Sequence, residues 1–291
     1  MFLQVAGWFS YSLVGYKNSW GKILSMAREK ESVKNLYFEI QADFGFTKHM
    51  GGQAATDELA KLCRIRKGSR VLEIGCGVGF TSCYLAEKYG CRVTGVDISP
   101  MMVKRSKERA KRKKLEGLTE FLVADAAKKL PFKSNLFDVV IAESVIAFLK
   151  NKQNAVNECA RVTKKGGFVG FNESTWLKEP SPEISEYMTK TVGTEELLGF
   201  DVWKGFLRKA GLRIVEARLE KVRFANEVYQ QVKRVKPLEY LGILLRLCKG
   251  MLTDSRYQEF ARRGLATFWE RKRASKFLKD VGYGVYVAKK K

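Results

Sequence analysis

Residues 71–79 read VLEIGCGVG. The apolar run ends in glycines at Gly75, Gly77 and Gly79, and FTSCYLAEKYG (80–90) follows with helical spacing and a glycine stop. A buried strand that turns on glycines into a helix is the opening unit of a parallel α/β sheet. CRVTGVDIS (91–99) supplies the second strand.

The alternation continues outward. Pro100 to Lys114 has helical spacing, with Ser99 placed to cap it and Pro100 in the first turn. TEFLVAD (119–125) and LFDVVIAES (136–144) are the third and fourth strands, Asn151 to Thr163 a helix, and GGFVGFNES (166–174) the fifth strand. Asp201 to Ala210 is expected to be a helix, LRIVEARLEKVRF (212–224) the sixth strand, and GYGVYVAKK (282–290) the last. Runs apolar on both faces and separated by helices require a sheet covered on both sides. The expected fold is α/β, a doubly wound, Rossmann-like sheet of seven strands. Its expected divisions are an N-terminal helical lid (1–50), a core (51–224), a basic, amphipathic helical insertion (225–281) and a last strand with a basic tail (282–291).

Composition narrows the function. The 291 residues carry 54 Lys and Arg against 31 Asp and Glu, a formal charge of +23, which favours anionic partners without choosing among them. The six cysteines show no C-x-x-C pair, which argues against a disulfide framework or structural zinc, and they are expected to be small buried residues of a reducing cytosol. MFLQVAGWFSYSLVGY (1–16) has no basic leader and is interrupted by Gln4, Ser10 and Ser12, so a packed lid is expected there rather than a membrane span or a secretory signal.

The glycine register excludes one cofactor class. A dinucleotide loop would place its third glycine at position 80, where Phe80 stands. Asp97 at the end of the second strand is placed to accept from both hydroxyls of a ribose, and Asp125 at the end of the third to accept from an adenine amino group. Ligands of open α/β sheets bind outside such strand ends.

These spaced motifs resemble the class I S-adenosylmethionine-dependent methyltransferases over roughly residues 50–220 and the last strand. VLEIGCGVG, GVDIS (95–99), FLVADA (121–126), FDVVIAESVIAFL (137–149) and ECARVTKKGGFVGFNE (158–173) look like successive motifs of that family. The resemblance implies an antiparallel last strand and S-adenosylmethionine as cofactor. It places the loop of Gly75, Cys76, Gly77 and Gly79 at the methionine end with Glu73 beneath it, Asp97 on the ribose, Ile98 on the adenine face, and Asp125 with Ala126 at the adenine edge. Glu143 and Ser144 would border the sulfonium and the acceptor. No metal is required.

HMGGQAATDELAKLCRI (49–65) looks like the lead-in of enzymes that methylate phosphoethanolamine, glycine derivatives or amphiphilic natural products. It contains His49, the single histidine of the chain. His49 is either a general base or a structural contact under the cofactor; Glu143 and Glu173 are the other catalytic candidates. Trp8, Phe9, Tyr11, Tyr16, Trp20, Tyr37, Phe44, Phe46, Trp176 and Tyr187 are candidates for an acceptor wall.

Basic residues gather in KRSKERAKRKK (104–114) and in RRGLATFWERKRASKFLK (262–279). With LEYLGILLRLCKGML (238–252) they suggest a surface-lying amphipathic element that meets an anionic membrane, hence a cytoplasmic protein peripheral on a membrane's inner face. The expected acceptor is small or lipid-like: a lipid, a quinone, an amine or a phosphobase. Two rivals are an RNA methyltransferase using the basic surface and a non-catalytic cofactor-binding platform. AESV at the end of the fourth strand is not the Asn-Pro-Pro-aromatic element that cradles a flipped base, which argues against nucleic acid.

Overall fold

The computed structural model of the protein describes residues 49–179, 197–221, 237–258 and 280–291. In chain order these form α1 (Gly52–Leu62), β1 (Arg70–Ile74), α2 (Phe80–Tyr89), β2 (Arg92–Asp97), α3 (Pro100–Lys113), β3 (Thr119–Val123) and β4 (Phe137–Glu143). A short 3-10 turn (Ile146–Phe148) leads to α4 (Lys152–Val162), β5 (Thr163–Trp176), α5 (Phe200–Lys209), β6 (Leu212–Lys221), α6 (Pro237–Thr253) and β7 (Val281–Lys290). The seven strands lie in the order β3-β2-β1-β4-β5-β7-β6. The first five run parallel, and β7 is antiparallel to both β5 and β6. This is the doubly wound sheet with a reversed last strand that the motifs imply.

The period of two in the strands explains why both faces are apolar. Val139 and Ile141 of β4 pack into one layer with Leu59 of α1, Cys63 at its end and Leu85 of α2. Val140 and Ala142, pointing the other way, pack with Val156 and Cys159 of α4 and with Trp203 and Leu207 of α5. The sheet therefore separates α1, α2 and α3 from α4 and α5, and its carboxyl edge is the open end at which a ligand is received.

Local chemistry sets the element ends. The Ser99 side chain accepts from Met102 N with Pro100 in the first turn of α3, and the Asn151 side chain accepts from Asn154 N at the start of α4. The fifth strand begins earlier than its glycines suggest. Phe137 pairs with Thr163 while Val139 pairs with Phe168, so Lys164 to Gly167 form a bulge inside the strand rather than a turn before it. Gly166 takes φ 74° and a Cβ on Gly167 would meet Asp138 O at 2.7 Å, which is why glycines stand there.

Three expectations fall partly or wholly outside the described residues: the lid, of which only residues 49 and 50 are described; the insertion, of which 237–258, 280 and 281 are described; and the end of the sixth strand, residues 222–224. Five cysteines are buried as expected, but Cys248 on α6 is exposed. No described helix is long and apolar enough to cross a membrane.

Candidate active site

The turn after β1 is held from both sides. Gly75 takes φ 66°, and a Cβ there would meet Val145 Cγ2 at 2.4 Å, so no larger residue fits. From the β2 side, Cys76 N donates to Val96 O at 2.9 Å and Gly77 N to Asp97 Oδ2 at 2.9 Å. From α3, the Ser106 hydroxyl donates to Gly77 O at 2.7 Å and Arg109 Nε to Val78 O at 2.9 Å. Arg109 is buried with its guanidinium 3.5 Å from the centre of the Phe80 ring. The basic run of α3 is thus not uniformly solvated: one member turns inward and fastens the glycine loop.

Along the strand ends, Glu73 is buried beneath the loop and accepts from the Ser82 hydroxyl. Burial drives its carboxyl far above the usual range, and the nearby charges of Glu143 and Asp97 push the same way. Asp97 accepts from Ser99 N at 2.9 Å through Oδ1 as well as from Gly77 through Oδ2. Burial raises its pKa while these backbone donors oppose the rise. Beside it Ile98 is 66% exposed, and Val123, the register partner of Asp97 on β3, is 53% exposed. Asp125 Oδ1 accepts from Ala127 N at 2.9 Å, and Ala126 is buried.

A second cluster covers the ends of β4 and β5. Met50 N donates to Ser144 Oγ at 3.1 Å, and Asn172 Nδ2 donates to Met50 O at 2.6 Å, so the backbone of one residue is clamped across two strand ends. Ser144 takes φ 57°, and its own N–H donates to Asn172 O at 2.6 Å. Glu143 accepts from Thr56 at 3.0 and 3.1 Å and from Thr81 at 3.1 Å. His49 reaches the same group: Nε2 lies 3.2 Å from the Thr56 hydroxyl, and Nδ1 lies 3.1 Å from Met50 O and 3.5 Å from Glu143 Oε1.

The Thr56 hydroxyl has one proton and stands between Nε2 of His49 and the Glu143 carboxyl, so the ring and the carboxyl share one hydrogen-bond network through it. A ring nitrogen that carries a proton there has no lone pair with which to take one from a substrate, whereas one that does not can act as a base.

Comparison with known proteins fits this geometry. The family described as Methyltransferase domain matches residues 72–171. An uncharacterised protein of Haemophilus influenzae is 31% identical over 169 residues, covering 57% of this chain and 67% of its own length. The chain belongs to the class I S-adenosylmethionine-dependent methyltransferases. The 27-O-demethylrifamycin SV methyltransferase of Amycolatopsis mediterranei is 30% identical over 184 residues, covering 62% of this chain and 66% of its own length. The chain thus spans about two thirds of the length of both relatives. The fold is shared with a methyltransferase from Geobacter sulfurreducens, solved in complex with S-adenosyl-L-homocysteine, at TM-score 0.66 and 18% identity, over 87% of this chain and 98% of that one.

S-adenosylmethionine is the cofactor of this methyltransferase family, and two features of the site fit it. Ile98 and Val123 leave apolar surface uncovered at adjacent strand ends, where a flat base can lie. At the other end Asn172 Oδ1 is buried with no partner among the described residues, an acceptor placed for a donor that the fold itself does not supply. The cofactor supplies a methyl group on a sulfonium, already a strong electrophile. The protein's task is alignment of the acceptor and management of its proton.

Two sequence expectations meet a different geometry. Glu173 was placed near the acceptor, but its carboxyl is fully buried in the strand and accepts from Val145 N at 3.0 Å, Ile146 N at 2.8 Å and Ala147 N at 3.3 Å. It holds the turn after β4 in place instead of facing a substrate. Trp176 is buried at the end of β5, paired with Val281 and hydrogen-bonded through its N–H to Leu198 O. It is part of the sheet, not an acceptor wall. The other aromatic candidates lie outside the described residues. Sequence reasoning passed over Thr56, Thr81 and Asn172, although Thr56 and Asn172 stand within the motifs it quoted; hydroxyls and amides reveal their partners only once the strands are aligned.

Proposed function

We propose that this methyltransferase acts on a small or amphiphilic organic acceptor, of lipid, quinone or amine/phosphobase type, that enters beside Glu143 and Ser144. Asp97 would take the ribose hydroxyls, Ile98 the adenine face, and Asp125 with Ala126 the adenine edge. The Gly75 to Gly79 loop would hold the methionine end above Glu73. His49 is a positioning residue in this proposal. As a cation it keeps Glu143 ionised and oriented, and Glu143 remains the group that can receive a proton or hold an ammonium.

The observation that carries this reading is the clamp of Met50 on Ser144 and Asn172, which roofs the ends of β4 and β5. It is supported by the relative named for methylation of 27-O-demethylrifamycin SV, a small organic acceptor. Sheet order argues against the RNA reading. The basic run on α3 flanks β3 and β2, and β3 lies three strand positions from β4, about 14 Å at ordinary strand spacing. Cations that guide a polymer to the methyl group would line its approach, not the far edge. A cytoplasmic protein peripheral on a membrane's inner face completes the proposal.

The test is methyl transfer from radiolabelled S-adenosylmethionine to lipid extracts, phosphobases, quinones and RNA in parallel. Label in an organic fraction is expected. Label confined to RNA overturns the proposal, and cofactor binding without any transfer would favour the platform reading.

A further inference from the structure

A groove runs along the outer flank of α3. Its volume of about 460 Å³ falls within the range of roughly 300–1,000 Å³ that small-molecule sites occupy. The floor is aliphatic: Pro100 and Val103 from the start of α3, and Val123 from the end of β3. The rim is cationic. Lys104, Lys107 and Lys111 recur there at spacings of three and four, which sets them in one line about 10 Å long.

The three lysines differ from their neighbours on α3 in having no carboxylate. Lys113 is paired with Glu87 at 2.5 Å, Arg105 with Glu108 at 3.2 Å, and Arg109 turns inward to Val78 O. Lys104, Lys107 and Lys111 are exposed and make no ion pair among the described residues. Glu108 also faces the groove, but its charge is already shared with Arg105. Lysine stems ordinarily lie along apolar surface, yet Val123 remains 53% exposed, so the floor is not roofed by them.

The place of the groove in the fold separates it from the acceptor. β3 is an edge strand, three strand positions from β4 and hence about 14 Å away at ordinary spacing. The cofactor region is closer. Val123, the register partner of Asp97, belongs both to the groove and to the apolar surface beside Ile98.

Such a lining selects its ligand. Inorganic phosphate would meet the lysines and leave the floor in water. A neutral apolar molecule would cover the floor and leave three ammonium groups crowded in a line. A polymer of phosphates would lie across the rim without filling a recess floored by proline and valine. A molecule that carries an anionic group on an apolar body satisfies floor and rim together.

We propose that the groove between α3 and β3 is a binding site for a small anionic amphiphile, its phosphate, sulfonate or carboxylate among Lys104, Lys107 and Lys111 and its apolar body on Pro100, Val103 and Val123. The ligand lies beside the cofactor and does not take its place. This site goes beyond methyl transfer and does not depend on which acceptor is methylated.

The test is isothermal titration of the full chain with octyl phosphate, octyl glucoside and inorganic phosphate, each with and without saturating S-adenosyl-L-homocysteine. Octyl phosphate is expected to bind one to one with a Kd of about 0.1–1 mM, and the glucoside and bare phosphate about tenfold more weakly or worse. Lys107→Gln should weaken octyl phosphate about fivefold and K104Q/K107Q/K111Q about a hundredfold, the effect of one and of three ammonium groups at contact distance in water. Unchanged S-adenosyl-L-homocysteine affinity shows that these variants are folded; its absence in wild type would count against the cofactor site while leaving the octyl phosphate titration readable. In a spectrum of labelled valine methyl groups, octyl phosphate should move the signals of Val103 and Val123 and leave that of Val285, in the core, in place. The inference is overturned if octyl phosphate binds no more tightly than the glucoside or phosphate, or if the triple variant binds it like wild type. It is equally overturned if S-adenosyl-L-homocysteine displaces it, which would put the ligand on the adenine surface, or if vesicles of phosphatidic acid bind while monomeric octyl phosphate does not.

Discussion

Nδ1 of His49 lies 3.5 Å from Oε1 of Glu143, while Nε2 of the same ring lies 3.2 Å from the Thr56 hydroxyl that itself serves Glu143. The ring is shared between a carboxylate and that carboxylate's own donor. This arrangement gives opposite pH signatures for the two roles of His49. A general base must lose its proton to work, so activity would rise with pH through its titration. A cation that orients Glu143 works only while protonated, so kcat/KM should fall on the alkaline side. A pH series of wild type and His49→Asn decides it: the descending limb should be absent in the variant, whose remaining activity should be low and flat over the same range. A wild-type limb that ascends would return His49 to the role of base.

Thr56 is the joint between the two charged groups. Thr56→Val keeps the shape but deprives Nε2 of a partner and Glu143 of a donor in a buried setting. The loss expected is about 1–3 kcal/mol for buried partners left unmade. Read as kinetics, that is a fall in kcat of about fivefold to somewhat over a hundredfold. Thr56→Ser should recover most of it, because the hydroxyl alone is required.

At the far end of the site, Asp97 receives Gly77 N–H and Ser99 N–H, each at 2.9 Å, and keeps further lone pairs for a ribose. Asp97→Ala removes the ligand contact and also releases the glycine loop. S-adenosyl-L-homocysteine affinity measured by isothermal titration should weaken by about tenfold to a hundredfold, the range for hydrogen bonds to a charged group. Asp97→Asn, which keeps an acceptor oxygen, should lie between. Unchanged binding in the alanine variant would remove Asp97 from the cofactor site.

Much of this architecture is legible in the sequence because it rests on local patterns. The run from Val71 to Gly79 states a strand, a turn with positive φ and a helix start within nine positions. Ser99 and Pro100 state where α3 begins. Asp97 and Asp125 can be placed because strand ends in a parallel sheet face one edge. Glu173 was misplaced for a physical reason: position along β5 gives its height in the sheet, but only the packing of the turn after β4 over that strand shows three backbone N–H groups aimed at its carboxyl. Arg109 was hidden likewise among seven cationic neighbours, since helix spacing gives its face but not the Phe80 ring and the Val78 carbonyl that receive it. The clamp on Met50 joins positions 94 and 122 residues apart, Ser144 and Asn172, and no local pattern carries such a contact.

The burial of Glu173 has a consequence for stability. Desolvation pushes its pKa up to about 7 from an ordinary 4.5, against the pull of the backbone donors at Val145, Ile146 and Ala147. The folded protein therefore holds this proton more tightly than the unfolded chain. The resulting stabilisation is fully present below about pH 4.5 and is lost as the pH rises to about 7. The shift corresponds to something on the order of 3 kcal/mol across that window. Urea unfolding of wild type at a series of pH values should show midpoints that fall through this range, beyond the trend of the other groups. Glu173→Gln cannot ionise but keeps a carbonyl for the turn after β4, so its midpoints should follow a shallower slope and approach or exceed those of wild type at the alkaline end. Parallel slopes for the two proteins would mean that Glu173 does not carry the proton that its surroundings favour.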